Sequence, residues 1–185
     1  MILTDREIKL SIAADQLQID PSPDPESYAS TSVDLTLASL LRIYKPVVKG
    51  TKTVIDPSDP EFNAKELIEN LTEQRHIHEG EGYDLIKDQF ALAWTREKVN
   101  LKEHSRIAAR VEGKSSLARL GLAVHVTAPT IHAGFRGPIQ LEIKNHGSLP
   151  IRLRTGMKIC QLIFETTLGM PDRAYKGQFL GQTAK

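Results

Sequence analysis

The chain has 185 residues, enough for one compact unit that buries roughly 70% of the surface exposed when unfolded. Hydrophobic residues make up 40% and charged residues 25%, and 24 Lys+Arg against 23 Asp+Glu leave a net charge of +1, which excludes a highly charged disordered protein and a coat for long polyanions. The single cysteine, Cys160, excludes an internal disulfide framework and any zinc site that needs two or more thiolates.

The start, MILTDRE, turns charged before an apolar stretch of signal-peptide length develops, and no run of about eighteen apolar residues follows anywhere. The expectation is a soluble, cytoplasmic protein with no membrane partner and no nucleic-acid partner. The first element is predicted to be a helix, because Thr4 and Glu7 have capping-box spacing and Ile8, Ile12 and Ala13 recur at helical intervals; it should stop near Pro21. Pro21, Pro23 and Pro25 form a stiff connector. Val33, Leu35 and Leu37 then alternate with Ser32, Asp34 and Thr36, as in a half-buried strand. Positions 56–74 are a polar excursion with one helix expected over 61–73, whose apolar stripe is Leu67, Ile68 and Leu71.

From Tyr83 onward the pattern is of short strands, with turn signals at Gly113, Gly134, Gly137-Pro138, Gly147 and Thr155-Gly156. Ile139, Leu141 and Ile143 share one strand face, and Gln140, Glu142 and Lys144 the other. One helical turn is expected over 115–120, closed by Gly121, with Leu117 and Leu120 directed at the core. Many short strands and little helix predict a mainly β sandwich or barrel in a single domain spanning 1–185, with a polar tail at 172–185.

Gly113-Lys114-Ser115-Ser116 ends like a phosphate-binding loop, but Ala108 stands where such a loop needs its first glycine. What is left is a glycine turn feeding a helix start, where free N–H groups favour an anion or where Ser115 simply caps the helix. Between positions 105 and 137 there are five cations (Arg106, Arg110, Lys114, Arg119 and Arg136) and one anion, Glu112, a local +4. Ser115 and Arg119, four apart, share a face of the turn. Glu142 lies on the polar side of its strand: facing solvent it is merely solvated, facing a cleft it can act as general base or acid, and parity alone does not choose. His76-Ile77-His78 has no well-spaced third metal ligand; of the scattered histidines, His132 is the one near the other candidates. Cys160, in a strand-like run, reads as a packed small hydrophobe.

The stretches VEGKSSLARLGLAVHVTA at 111–128 and GFRGPIQLE at 134–142 closely resemble the dCTP deaminase branch of the dUTPase-like superfamily. MILTDRE at 1–7, SVDLTL at 32–37, LPIRL at 149–153, GMKICQLIF at 156–164 and YKGQFLGQ at 175–182 fall in family order around them. The resemblance implies a distorted, jelly-roll-like β-barrel with a few short helices, assembled as a homotrimer with sites at subunit interfaces and a C-terminal tail closing over the nucleotide. It implies that dCTP is deaminated to dUTP and ammonia, with dTTP as a possible inhibitor. By position, Glu142 matches the carboxylate that activates water, and Ser115 and Arg119 match residues that order water, glutamate and substrate. Lys114, Ser116, Leu117 and Ala118 fall in the triphosphate-handling segment. Gln140 and Leu141 match the strand that reads the base, Ala128 and His132 count among the substrate-binding positions, and Tyr175, Gln178 and Gln182 fall where the tail meets the nucleotide. Mg2+ would arrive with the triphosphate. Zinc deaminases use H-x-E with P-C-x-x-C, which one cysteine cannot supply, so no protein-bound metal is expected.

Two positions depart from the family pattern. His132 stands where most relatives have an aspartate, one tied in the bifunctional enzymes to cleavage between the α and β phosphates, and Gln178 stands where a lysine is common. The competing expectations are a bifunctional enzyme releasing dUMP and pyrophosphate, a plain dUTPase, an idle trimeric nucleotide-binding protein and, most distantly, a metal-binding barrel using His76 and His78.

Overall fold

The alternation that begins at Val33 runs on without a turn residue until Tyr44, and it produces the longest strand of the molecule, with Val33, Leu35, Leu37, Leu41 and Ile43 buried. The computed structural model of the chain describes residues 1–46, 54–170 and 172. The elements in order are α1 (Asp5–Ala13), β1 (Leu17–Asp20), β2 (Tyr28–Ala29), β3 (Ser32–Tyr44), α2 (Ala64–Leu71), β4 (Thr72–His76), β5 (Tyr83–Leu85), β6 (Phe90–Leu101), β7 (Ile107–Gly113), α3 (Ser115–Ala118), β8 (Leu122–Ala123), β9 (Thr130–Ile131), β10 (Arg136–Asn145), β11 (Ile151–Leu153) and β12 (Lys158–Thr166).

Ten strands form one antiparallel sheet in the order β8-β10-β6-β3-β12-β7-β9, to which β1 adds on β6 and β2 and β4 on β3; β5 and β11 form a separate pair. The N-terminal half of β3 pairs with β12 and its C-terminal half with β4 and β6, so this one strand turns the corner between two curled halves. The mainly β, barrel-like architecture expected from the sequence is the one found. Between the halves lies a single large core that includes Leu35, Leu37, Leu141, Leu162 and Phe164.

Local differences from the sequence expectations have physical causes. Helix α1 ends at Ala13 rather than near Pro21: Asp15 takes a left-handed conformation, and Leu17 and Ile19 are drawn into a strand beside β6. The helix of the excursion is shorter than 61–73, because Asn63 caps it by accepting from the Glu66 N–H at 3.2 Å and residues 72–76 leave it to pair with β3. Its Ile68 packs on an outer apolar cluster of Leu40, Leu92 and Trp94. Gly113 is the last residue of β7 rather than a turn. No helix among the described residues is long and apolar enough to cross a membrane.

Gly121 and Gly147 fix the joint between α3 and β10. Gly121 has φ +96°, and a Cβ on it would lie 2.3 Å from the Gly147 backbone nitrogen; a Cβ on Gly147 would lie 2.3 Å from the Leu120 carbonyl. The His146 N–H donates to the Gly121 carbonyl at 2.7 Å, so the turn after α3 is seated directly on the turn after β10.

Candidate active site

Strand β10 separates its residues as the alternation predicts: Ile139, Leu141 and Ile143 are buried in the core, while Gln140, Glu142 and Lys144 are half-buried on the opposite face. The Leu141 side chain therefore belongs to the core and not to the face of Gln140 and Glu142. Cross-strand partners share a face, and the register sets Gln140 against Trp94 and Glu142 against Leu92. Glu142 thus stands beside the outer apolar cluster. Tyr44, whose ring packs 5.4 Å from that of Phe90, has its hydroxyl pKa raised by burial and then by the negative charge of Glu142.

On its other side Glu142 opens into a cleft of about 270 Å³, shared with His125, Ala128, His132, Phe135 and Gln140. The Val126 N–H donates to Glu142 Oε2 at 3.3 Å. This settles what strand parity left open: the Glu142 carboxylate lines a concave, partly apolar site. Four residues carried over from the resemblance, Ala128, His132, Gln140 and Glu142, meet here. His125 was not singled out by the sequence. It lines the same cleft, with Nδ1 buried and without a hydrogen-bond partner among the described residues, and with Nε2 4.0 Å from Glu112.

None of Lys114, Ser115, Ser116, Leu117, Ala118 or Arg119 lines this cleft within the chain. Helix α3 is a four-residue turn with Lys114 rather than Ser115 at its N-cap position and no side-chain cap, and it is too short for a strong end dipole. Ser115, Ser116, Ala118 and Arg119 are exposed, Leu117 is half-buried against the core, and Leu120, expected inside, is 64% exposed. Tyr175, Gln178 and Gln182 lie outside the described residues.

The segment's polar surroundings come from long-range partners that spacing could not reveal. Lys114 Nζ lies 2.5 Å from Asp34 Oδ1, and Lys158 Nζ lies 3.5 Å from Asp34 Oδ2, so one half-buried carboxylate of β3 holds two lysines. Ser32 donates to Gln161 at 2.9 Å, and Gln161 donates to the Gly113 carbonyl at 3.2 Å, tying β3, β12 and the residue before Lys114 together. The alternation around Asp34 marks a polar strand face; that this face meets Lys114 is a consequence of tertiary pairing.

The local +4 of the sequence is not one patch. Arg110 pairs with Glu165 at 3.1 Å and Glu112 at 3.9 Å, Arg106 donates to the Thr167 and Leu168 carbonyls, and Lys114 is neutralised by Asp34. Arg119 and Arg136 have no carboxylate partner among the described residues. His76 and His78 flank the buried Ile77, and no group of three metal-ligating side chains occurs among the described residues. Cys160 is fully buried, and burial, then the charges of Glu97 and Asp34, push its thiol pKa far up, which fits the packed role.

The profile of the dCTP deaminase-like family matches residues 2–167. The chain is 40% identical over 165 residues to a "dCTP deaminase, dUMP-forming" of Methanobrevibacter smithii, covering 89% of this chain and 80% of that one. A protein of the same description from Methanothermobacter thermautotrophicus is 38% identical, with 98% and 90% covered, and a "dCTP deaminase" of Rhodospirillum rubrum is 37% identical, with 95% and 87% covered. Among solved structures, the 2'-deoxycytidine 5'-triphosphate deaminase of Agrobacterium tumefaciens superposes with a TM-score of 0.66 at 24% identity over 89% of this chain; the chain spans about half of that longer one, 48%. A dUTPase from phage phi11 of S. aureus superposes at 0.51 with 12% identity over 87% of this chain and 97% of that one, a likeness of fold alone.

Proposed function

The chain belongs to the dCTP deaminase-like family, and from that membership we propose that it hydrolyses dCTP to dUTP and ammonia. The observation that carries the assignment is the Glu142 carboxylate in a cleft with Gln140, Ala128 and His132. In the reaction Glu142 takes a proton from water as the oxygen adds to C4 of cytosine. The same carboxylic acid returns that proton to the amino group, the C4–N bond breaks and ammonia leaves, while the remaining hydroxyl proton passes to ring N3 as the C4 carbonyl forms. The backbone of Gln140 and Leu141 presents groups to the base. The position of Glu142 beside Trp94 and Leu92, at the wall of a concave cleft, supports the assignment.

Lys114 and Ser116 handle the triphosphate, with Mg2+ arriving as part of the substrate, while Ser115 and Arg119 order the water, the glutamate and the substrate. Their separation from the Glu142 cleft within one chain supports a homotrimer in which α3 of one copy completes the cleft of the next. Exposed Leu120 and Val126, 64% and 59% accessible, supply apolar area for such a contact. The tail residues Tyr175, Gln178 and Gln182 close over the nucleotide, dTTP competes for the site, and the enzyme works on the cytoplasmic nucleotide pool.

A second product, dUMP with pyrophosphate, is favoured by the descriptions of the archaeal relatives. Against it stands His132 at the position of the aspartate linked to phosphate cleavage. Incubation with dCTP, then separately with dUTP, and chromatographic resolution of dUTP, dUMP, ammonia and pyrophosphate tests both. Accumulating dUTP supports the first, dUMP from either substrate the second, and unchanged nucleotides reject both. Glu142→Gln should retain nucleotide binding and lose deamination by about 10²-fold or more; undiminished turnover removes Glu142 from the role of base.

A further inference from the structure

A second concavity, of about 850 Å³, shares no lining residue with the Glu142 cleft and lies on the outer side of the β1–β6–β10 part of the sheet. Its origin is a double break in the ladder. Between Pro138 and Gln140 of β10 the pairing with β6 loses register and residues 95–97 of β6 bulge, whereas between Leu37 and Leu41 of β3 the extra residues, 38–40, belong to β3. The alternation of β6 places Glu97 inward with Thr95 and Val99 and leaves Arg96 and Lys98 outward and exposed.

The register brings the remaining charges alongside. Pro138 stands opposite Lys98, and Arg136 opposite Asn100, which makes Lys98 and Arg136 diagonal neighbours. Arg96, Lys98 and Arg136 all line the concavity, against the single carboxylate of Asp20. Asp20 is the ladder partner of Lys98, yet the two do not reach ion-pair distance, and none of the three cations has an acidic partner among the described residues. Elsewhere on the surface Lys9, Arg75, Lys102, Arg110, Lys114, Arg152 and Lys158 are each paired with a carboxylate. Three unpaired like charges in one concave site repel one another and focus the field on whatever anion enters.

We propose that this trough binds an oligophosphate chain, free or carried on a nucleotide, at a site separate from the deaminase cleft. Three cations supply one for each phosphoryl group of a tripolyphosphate, and the volume lies in the range that holds a nucleotide-sized ligand. The neighbouring Gln18 and Asn100 side chains, already joined by a 3.1 Å hydrogen bond, supply further amide donors.

The test is a titration of the full-length, isotope-labelled chain with sodium tripolyphosphate, following the backbone amide resonances of residues 96–100 and 136. These should shift saturably. In an Arg96→Gln, Lys98→Gln, Arg136→Gln variant their affinity should fall about tenfold or more, while any response at residues 114–119 stays within about twofold. Lys98→Gln alone, a minimal change at an exposed position, should weaken binding about threefold. Absence of shifts at 96–100 in the wild-type chain overturns the proposal, as does equal binding by the triple variant. A nucleoside triphosphate that binds more tightly than tripolyphosphate at these amides identifies a nucleotide site; equal affinity identifies the phosphate chain as the whole determinant. Tighter binding of a single-stranded RNA oligonucleotide would replace the proposal with a nucleic-acid surface.

Discussion

Truncation of Glu97 should destabilise the protein out of proportion to its size. Glu97 is 6% exposed; its Oε2 accepts the Thr36 backbone N–H at 2.8 Å and its Oε1 accepts the Thr36 hydroxyl at 2.7 Å. Thr36 sits where β3 loses register with β12 and just before it loses register with β6, so the ladder supplies no substitute acceptor. Glu97→Ala leaves a buried backbone N–H unpaired, at about 1–3 kcal/mol, and opens a cavity worth roughly another 1–2 kcal/mol. Relief from burying a carboxylate without a cation offsets part of this, so the expected loss is about 2–4 kcal/mol. Glu97→Gln keeps an acceptor for the N–H and can donate to the hydroxyl, and should stay within about 1 kcal/mol of the wild type. Urea unfolding of the three proteins, compared through midpoint and slope, measures both differences. An alanine variant within about 1 kcal/mol of wild type, or a glutamine variant as damaged as the alanine one, would refute the argument that this carboxylate holds the bulge together.

Gly121→Ala should cost roughly 2–4 kcal/mol, from the left-handed φ of +96° and from a Cβ placed 2.3 Å from the Gly147 nitrogen, where only backbone could yield; calorimetry should show a melting point lower by about 4–16 °C. Leu141→Ala should lose about 2–5 kcal/mol because that side chain is wholly in the core, whereas Gln140→Ala on the cleft side should change stability by less than about 1 kcal/mol; parallel urea titrations check the pair. Stability should decline with alkaline pH through Cys160. The unfolded thiol ionises near its ordinary value of 9.0 and the buried one does not, so above about pH 9 the folded state binds more protons and loses up to about 1.4 kcal/mol per pH unit. Unfolding free energies measured from about pH 8 to 10 should show this slope in the wild type and not in Cys160→Ala. His132→Asp should raise dUMP as a fraction of product from dCTP; an unchanged product ratio would separate His132 from the fate of the phosphates.

The strand face of Glu142 could be read from the alternation of Ile139, Leu141 and Ile143 because a pleat obeys a period of two and the core selects one side of it. The closing of α3 by Gly121 was legible for a similar local reason: after a helical turn, a left-handed residue favours glycine. What composition and spacing could not supply were the partners of these elements. Lys114 and Asp34 are 80 positions apart, and their ion pair exists because β3, β12 and β7 are neighbours in the sheet. His125 looked like one more scattered histidine until the turn after β8 folded over β10. The end of α1 and the start of β4 moved from their expected places because pairing with β6 and β3 outweighs weak helical preferences.

Charge shows the same division. The sequence determined that the molecule is near neutral overall, with a basic excess around positions 105–137, and that its one cysteine cannot build a zinc deaminase centre. Tertiary structure decided where that excess is spent: on Glu165, Glu112, Asp34 and two main-chain carbonyls, with Arg136 carried away to a separate trough beside Arg96 and Lys98. Periodicity and residue type are local properties that a chain states directly, whereas electrostatic pairing depends on distances of a few ångströms between residues far apart in sequence, and those are fixed only when the sheet closes.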